Sequence, residues 1–192
     1  MSQTTTATTR ENSSFQTIDI VYIGIFAALL AICSWISIPL TVPVTLQTFG
    51  VFVACALLGG KRGTVSIIVW ILLGAVGAPV FAGFSGGMGV LLGSTGGYIL
   101  GFIFTGLIMW AFERFVGTAL WMKIVSMVLG LAVCYTFGTI WFMYVYGRAN
   151  GAITLAQALA WCITPFLIPD ACKIVLAAII SSNKQIRKVL HS

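Results

Sequence analysis

Two opposite charges, Asp170 and Lys173, interrupt the otherwise apolar stretch Pro165-Phe-Leu-Ile-Pro-Asp-Ala-Cys-Lys-Ile-Val-Leu-Ala-Ala-Ile-Ile180. A charged side chain near the bilayer centre costs on the order of 3 kcal/mol, so a chain that retains two of them is expected to use them. Residues three apart share one face of a helix. We therefore expect both side chains to point into a common space that holds a small polar molecule. The alternative is an ion pair that only holds the helices together.

The composition indicates an integral membrane protein. Of the 192 residues, 59% are hydrophobic and 7% are charged, whereas soluble domains are about 25% charged. The formal net charge is +6. The basic residues lie at the ends of apolar segments, which favours a role in membrane orientation over nucleic-acid binding.

Hydrophobic runs divide the chain into a membrane domain and two tails. Residues 1–17 are rich in Thr, Ser and Gln and are expected to form a disordered cytoplasmic tail without a signal peptide. Residues 184–192 form a basic cytoplasmic tail. Residues 18–183 are predicted to be an all-α bundle of six transmembrane helices, at 18–38, 48–58, 64–78, 96–115, 123–146 and 169–182. The second and third runs are short, so we expect them to be tilted or not to cross the full thickness.

Between the last two spans, Arg148-Ala-Asn-Gly151 is expected to form a turn, and a short interfacial helix over 155–163 is expected to be capped by Thr154.

Charge counting orients these spans. If the N-terminus is cytoplasmic, Arg148 lies outside, whereas eight basic residues lie inside: Arg10, Lys61, Arg62, Arg114, Lys123, Lys184, Arg187 and Lys188. This asymmetry predicts that both termini are cytoplasmic. The segments 39–47, 79–93 and 148–168 then face outward. Because irregular backbone at membrane depth is tolerated only when it is buried in protein or lines a cavity, we expect an outward-facing pocket covered by residues 39–47.

Polar side chains in these segments complete the predicted binding site. An ionised Asp170 accepts hydrogen bonds only, so it is expected to contact a ligand N–H group, and Lys173 is expected to contact a carbonyl or carboxylate oxygen. The first outer segment adds Thr45 and Gln47, and its apolar residues favour a lid or strand packed over the pocket rather than a free loop. Further candidates for ligand contact are Phe49, Ser94, Thr95 and Tyr98.

Aromatic residues and glycines in the spans carry weaker signals. Phe49, Trp70, Tyr135 and Trp141 are of types that more often pack the bundle or form interfacial belts than line pockets. The glycine-rich residues 83–97 lack the Gly-Lys-Ser/Thr of a phosphate loop. We therefore expect these glycines to allow close backbone approach.

The first span carries small residues at helical spacing. Ala27 and Ala31, with Gly24 before them, match the small-xxx-small pattern that lets helices touch closely. The pattern is weak by itself and fits either packing within the bundle or docking of a partner.

The residue sets of catalytic and metal chemistry are missing from the predicted spans. The single histidine, His191, is in the C-terminal tail, the five cysteines form no Cys-x-x-Cys pair, and the chain has no Walker motif. We therefore expect no enzyme activity, no metal and no cofactor.

At four stretches the chain resembles the BioY family, the biotin-binding S components of energy-coupling factor (ECF) vitamin transporters. They are VPVTLQTFG at 42–50, GAPVFAGFSGG at 77–87, GSTGGYILGF at 93–102 and PFLIPDACK at 165–173. Sequences of that family often have Pro at the position of Ser94 and Gly at that of Ile168 or Pro169. These departures leave the spacing of Asp170 and Lys173 intact.

The resemblance implies a six-helix S component with a biotin site on the outer side, closed by the first loop. Biotin would be the transported ligand, its ureido N–H groups matching Asp170 and its oxygens matching Lys173 or Gln47. The implied partners are a transmembrane T component and two ATPases in a prokaryotic cell membrane, contacted through Ala27 and Ala31. The alternatives are an S component for another small vitamin, an intramembrane enzyme that uses Asp170 as a base, and a scaffold subunit without a ligand.

Overall fold

A computed structural model of the protein describes residues 16–183. The predictions for residues 1–15 and 184–192 lie outside the described part. Within it the chain forms eight α-helices and a two-stranded sheet. The helices are α1 (Thr17–Trp35), α2 (Gln47–Leu58), α3 (Gly60–Ala75), α4 (Met88–Leu92), α5 (Gly96–Phe115), α6 (Leu120–Asn150), α7 (Leu155–Cys162) and α8 (Leu167–Ser182). The strands are β1 (Ser37–Ile38) and β2 (Val44–Thr45), and short 3-10 turns lie at Ala82–Phe84 and Thr164–Phe166.

Four helical stretches of the described chain are long and apolar enough to cross a membrane: Thr17–Trp35, Gly96–Phe115, Leu120–Asn150 and Leu155–Ser182. The remaining two predicted spans are shorter. With 12 and 16 residues, α2 and α3 are about 18 and 24 Å long, whereas the hydrocarbon core is about 30 Å thick. The helical membrane fold is confirmed, and six complete crossings stay a prediction.

Helix α6 is longer than the sequence predicts. It starts at Leu120 and continues through Arg148, where a turn is expected, to Asn150. Gly151, with a φ of 94°, ends it by adopting a backbone conformation that other residues rarely reach. The next helix begins as predicted, because the Thr154 hydroxyl accepts a hydrogen bond from the Gln157 N–H in a capping box.

Helix α2 lies at the centre of the bundle. All of its residues except Phe49 are buried, and α1, α3, α5 and α8 pack around it. A helix that is apolar on every side needs such an enclosure. Its N-terminus consequently holds the polar Gln47 and Thr48 inside the protein, directly after the first loop.

Glycines bring α5 and α6 into close contact. A Cβ at Gly101 would lie 2.9 Å from Cys134 Sγ, and one at Gly130 would lie 2.8 Å from Thr105 Cγ2. The Thr105 hydroxyl donates a hydrogen bond to the Gly130 carbonyl across 2.9 Å. Small residues of this kind let transmembrane helices approach until their backbones nearly touch.

The first loop is an extended hairpin that packs inward. Ser37 pairs with Thr45 and Ile38 with Val44 in an antiparallel arrangement. Val42 and Val44 are buried against Phe142, Cys162 and Phe166, which come from α6, α7 and the turn before α8. The prediction of a strand packed over the interior, rather than a free loop, is confirmed.

The glycine-rich segment folds back on the end of α3. A Cβ at Gly86 would lie 2.2 Å from the Ala78 carbonyl oxygen, and one at Gly74 would lie 2.0 Å from the Phe81 ring. Phe81 is thereby buried beside Trp70, whose indole N–H donates to the Val80 carbonyl across 3.0 Å. The prediction of close backbone approach in this segment is confirmed.

Candidate functional site

A cavity of about 130 Å³ lies where the first loop meets the N-terminal ends of α2, α5 and α8. One part of its wall is apolar and includes Val42, Phe81, Phe102 and Phe166. The polar part comprises Thr45, Gln47, Thr48, Ser85, Thr95, Tyr98, Tyr135 and Asp170. A concave, mostly apolar space with a few convergent polar groups is the usual form of a small-molecule site.

Asp170 is the charged group of this wall, and it is 1% exposed. Its Oδ1 accepts a hydrogen bond from Lys173 Nζ, and its Oδ2 accepts one from the Tyr135 hydroxyl, each at 2.5 Å. Two buried charges are thus balanced, which offsets part of the desolvation cost of each. An ionised carboxylate has about four acceptor positions. Two contacts therefore leave Asp170 able to accept N–H groups from a molecule in the cavity.

Lys173 is buried but is not part of the cavity wall. It lies one helical turn beyond Asp170 and reaches back to that carboxylate. We expected both charged side chains to face the cavity. Asp170 does so, whereas Lys173 does not. The ion pair that the sequence leaves open as an alternative is present, and its carboxylate also faces the cavity.

Gln47 is held in place by a short polar chain. Its side-chain oxygen accepts from the Thr45 hydroxyl at 3.1 Å, and its side-chain nitrogen donates to Ser34 Oγ at 2.9 Å. Ser34 in turn donates to the Leu30 carbonyl at 2.7 Å. The amide plane of Gln47 is therefore oriented before any ligand arrives, with one N–H and one lone pair still available.

The remaining candidates divide into two groups. Thr95 and Tyr98 line the cavity, and the Tyr98 hydroxyl lies 2.9 Å from Thr139 Oγ1. Ser94 and Phe49 do not line it, and Phe49 packs against the core instead. A direct ligand contact by Ser94 or Phe49 would require local rearrangement.

Polar residues at or beside the cavity that were not among the candidates from the sequence include Tyr135 and Ser85, which line it, and Ser34, which contacts Gln47. Tyr135 reads as a packing aromatic, yet it forms part of the cavity wall and contacts Asp170. Trp70 and Trp141 do pack as expected, the latter donating to the Gly93 carbonyl at 2.9 Å. The available signal for Tyr135 and Ser34 was a hydroxyl inside an apolar run, where it needs a buried partner.

The small residues of α1 face two directions. Ala27 and Ala31 are buried in the core, at 2% and 6% exposure. They pack within the bundle and are not accessible to a partner, so the docking role expected for this pair needs correction. Gly24 is exposed, and an added Cβ there would meet no atom within 4 Å.

Comparison with known proteins gives one consistent result. The model of the BioY family matches residues 4–191. A biotin transporter BioY from Thermotoga maritima is 40% identical over 159 residues, covering 82% of this chain and 90% of the relative. A probable biotin transporter BioY from Pyrococcus horikoshii is 36% identical over 168 residues, covering 87% and 96%.

A solved structure has the same fold. The crystal structure of the S component for biotin from an ECF-type ABC transporter superposes with a TM-score of 0.76 at 25% sequence identity. The similarity covers 93% of this chain and 96% of that one.

Proposed function

The chain belongs to the BioY family, and we propose that it is the biotin-binding S component of an ECF-type transporter. It binds biotin in the cavity at Asp170 and is a transport subunit, not an enzyme. The observation that carries the proposal is a buried carboxylate with spare acceptor positions at the wall of an otherwise largely apolar cavity. Biotin joins a ureido group with two N–H donors to an apolar sulfur-containing ring. The ureido group matches the polar part of the cavity wall, and the ring matches the apolar part.

In this proposal Asp170 accepts from the ureido N–H groups, and Lys173 acts through it. Lys173 neutralises the carboxylate and restrains its orientation from outside the cavity. At the α2 end, the Gln47 amide is the candidate partner for a biotin oxygen. The apolar ring lies against aromatic and aliphatic wall residues such as Phe102 and Phe166.

The first loop is the proposed lid. The cavity of about 130 Å³ is smaller than the roughly 300–1,000 Å³ of most ligand pockets. Binding therefore requires the walls to move apart. The segment 36–46 has little regular structure, since its two strands have two residues each. Displacement of this hairpin would enlarge the cavity and open it to the outside.

The proposed topology has six membrane-crossing helices and cytoplasmic termini in a prokaryotic plasma membrane. The excess of basic residues at one end of the spans supports this orientation. The proposed partners are a transmembrane T component and two ATPases, since the sequence has no Walker motif. Gly24 and Ala28, four residues apart and both exposed on α1, replace Ala27 and Ala31 as the candidate T-component contact.

Equilibrium binding of biotin to the purified protein in detergent tests the proposal. Wild type is expected to bind, and Asp170→Asn is expected to bind at least about tenfold more weakly, because a charge-assisted hydrogen bond contributes about 1.5–3 kcal/mol. Asp19→Asn is the matched control, since Asp19 is also a buried carboxylate but lines a different cavity at the other end of the bundle. Undiminished affinity in Asp170→Asn, or a stronger response to a different vitamin, would contradict the proposal. Chemical change of recovered biotin would contradict the non-enzymatic role.

A further inference from the structure

A second cavity of about 670 Å³ lies at the other end of the bundle. It is formed by the start of α1, the α2–α3 corner, the end of α5 and the start of α6. The candidate biotin cavity uses the opposite ends of α2 and α5. Along α5 the nearest lining residues of the two cavities are Phe102 and Met109, which lie about 10 Å apart on the helix axis.

The second cavity has a net positive charge. Four basic side chains line it, Lys61, Arg62, Arg114 and Lys123, against two acidic ones, Asp19 and Glu113. These six charged residues come from four helices, α1, α3, α5 and α6, so the charge is assembled by the tertiary structure. With basic residues in the majority, the cavity attracts anions.

Both carboxylates of the cavity already have structural partners. Asp19 Oδ1 lies 3.0 Å from the Arg62 guanidinium, which ties α1 to α3. Glu113 accepts a hydrogen bond from the Gly60 N–H and so caps the first turn of α3 from α5. Lys123 Nζ donates to the Ala56 carbonyl at 2.9 Å, in the last turn of α2. The helix ends around the cavity are therefore held in position without an added ligand.

Exposed apolar side chains adjoin the basic residues. Phe115 and Trp121 are 79% and 60% exposed, and Val116 and Leu120 between them are also exposed. The Arg114 guanidinium carbon lies 5.7 Å from the centre of the Phe115 ring. Tryptophan in such a position is typical of the membrane–water interface. A soluble anion would need only the charges, whereas a phospholipid would contact both the charges and this apolar rim.

We propose that this cavity binds the phosphate-bearing headgroup of an anionic phospholipid, with the acyl chains along the rim formed by residues 115–121. Basic pockets between transmembrane helices are known to take acidic lipid headgroups, and the volume falls within the range of ligand pockets. In the orientation proposed above, the lipid comes from the cytoplasmic leaflet. It would contact both the α2–α3 corner and the α5–α6 connection, which Glu113 and Lys123 already hold in position.

Native mass spectrometry of the full chain in detergent tests this site. The probes are phosphatidylglycerol and phosphatidylcholine with identical acyl chains. Wild type is expected to retain phosphatidylglycerol preferentially. Arg114→Gln should lower that retention about fivefold and Lys61→Gln/Arg114→Gln about 25-fold, the ratios that correspond to about 1 kcal/mol per basic residue near an anionic surface. Arg148→Gln is the matched control, because Arg148 is an exposed basic residue at the other end of α6.

Equal retention of the two lipids by wild type, or no difference between Arg114→Gln and Arg148→Gln, would overturn the proposal. A second measurement separates the sources of the anion. Inorganic phosphate and glycerol 3-phosphate are added to lipid-free protein and the thermal unfolding midpoint is recorded. Stabilisation by these soluble anions to the same extent as by phosphatidylglycerol would assign the cavity to a soluble phosphate and refute the lipid assignment. Since no biotin is present, the result is independent of the proposed transport function. Arg114 is exposed, so Arg114→Gln is expected to fold. This single variant therefore tests the proposal even if the double variant does not fold.

Discussion

The Tyr135 hydroxyl donates a hydrogen bond to Asp170 Oδ2 across 2.5 Å and so joins the middle of α6 to the start of α8. Lys173 occupies the other carboxylate oxygen. The carboxylate is thus restrained from two helices while one side of it faces the cavity. A binding group that is held in this way loses little conformational entropy when a ligand arrives.

Tyr135→Phe is expected to lower the free energy of unfolding by about 2 kcal/mol, because a hydrogen bond to a charged group contributes roughly 1.5–3 kcal/mol. Chemical or thermal unfolding in detergent measures the change. Tyr144→Phe on the same helix is the control, since Tyr144 is 59% exposed and lies outside the cavity. Equal stability of the Tyr135 and Tyr144 variants would show that the contact to Asp170 contributes nothing.

Lys173→Met is expected to destabilise the protein by about 3–5 kcal/mol, since it leaves the Asp170 carboxylate buried without a countercharge. Combining it with Asp170→Asn should cost less than the sum of the two single changes, because the second substitution removes the unbalanced charge. A double-mutant cycle on unfolding free energies measures this coupling. Strict additivity would mean that the two residues do not interact.

The pair Arg62–Asp19 offers a comparison for that cycle, because its Arg62 side chain is 35% exposed although its Asp19 side chain is only 6% exposed. Water reaches the Arg62 side of the pair, and the Asp19 carboxylate also accepts a hydrogen bond from the Gln16 N–H, so Arg62→Met is expected to cost less than Lys173→Met. A larger cost for Arg62→Met than for Lys173→Met would contradict the argument from burial.

Ser34→Ala is expected to weaken biotin binding about fivefold, because the Gln47 side-chain nitrogen loses the acceptor that orients it and a typical hydrogen bond contributes about 1 kcal/mol. Isothermal titration measures the affinity. Ser181→Ala is the control, since Ser181 is as buried as Ser34 but bonds only within α8. If both variants bind biotin like wild type, Gln47 either keeps its orientation without Ser34 or does not contact biotin.

Gly63→Ala is expected to destabilise the bundle by more than about 1 kcal/mol, since the new Cβ would lie 2.5 Å from the Cys55 backbone and neither helix can yield without repacking. Gly24→Ala has no atom within 4 Å of the added Cβ. Because alanine favours a helix interior by about 1 kcal/mol over glycine, that variant should be as stable as wild type or more so. Thermal midpoints of the two variants that fall in the reverse order would contradict the packing of α2 against α3.

The positions of the helices could be predicted from the sequence, but the directions of the side chains could be predicted only in part. Asp170 was expected at a binding site because a carboxylate in an apolar helix needs a strong reason to be there, and it does line the cavity. The same argument predicts that Lys173 lies at the binding site. In the described part of the chain, however, the hydrogen bond of Lys173 goes to Asp170 in the same turn of α8. Two charges on one helix face can meet a ligand or each other, and the spacing is the same in both cases.

The two small-residue pairs of α1 illustrate a further limit. Ala27 and Ala31 face the core, whereas Gly24 and Ala28 face outward. In a soluble protein the polar side of a helix would reveal its outer face. Lipid and core are both apolar, so this helix carries no such signal, and its rotation could not be predicted.

The sequence by itself determined that this is a helical membrane protein with a polar site beside the start of its last helix. Charged and hydroxyl side chains are costly in hydrocarbon, so their presence in an apolar segment indicates a functional or structural role. Only the tertiary structure decided that Asp170 is shared between Lys173 and Tyr135, and that Lys61, Arg62, Arg114 and Lys123 gather around one cavity. The Tyr135–Asp170 contact and the basic cavity each bring residues of different helices together. They depend on how each helix is rotated and how closely its glycines let its neighbours approach.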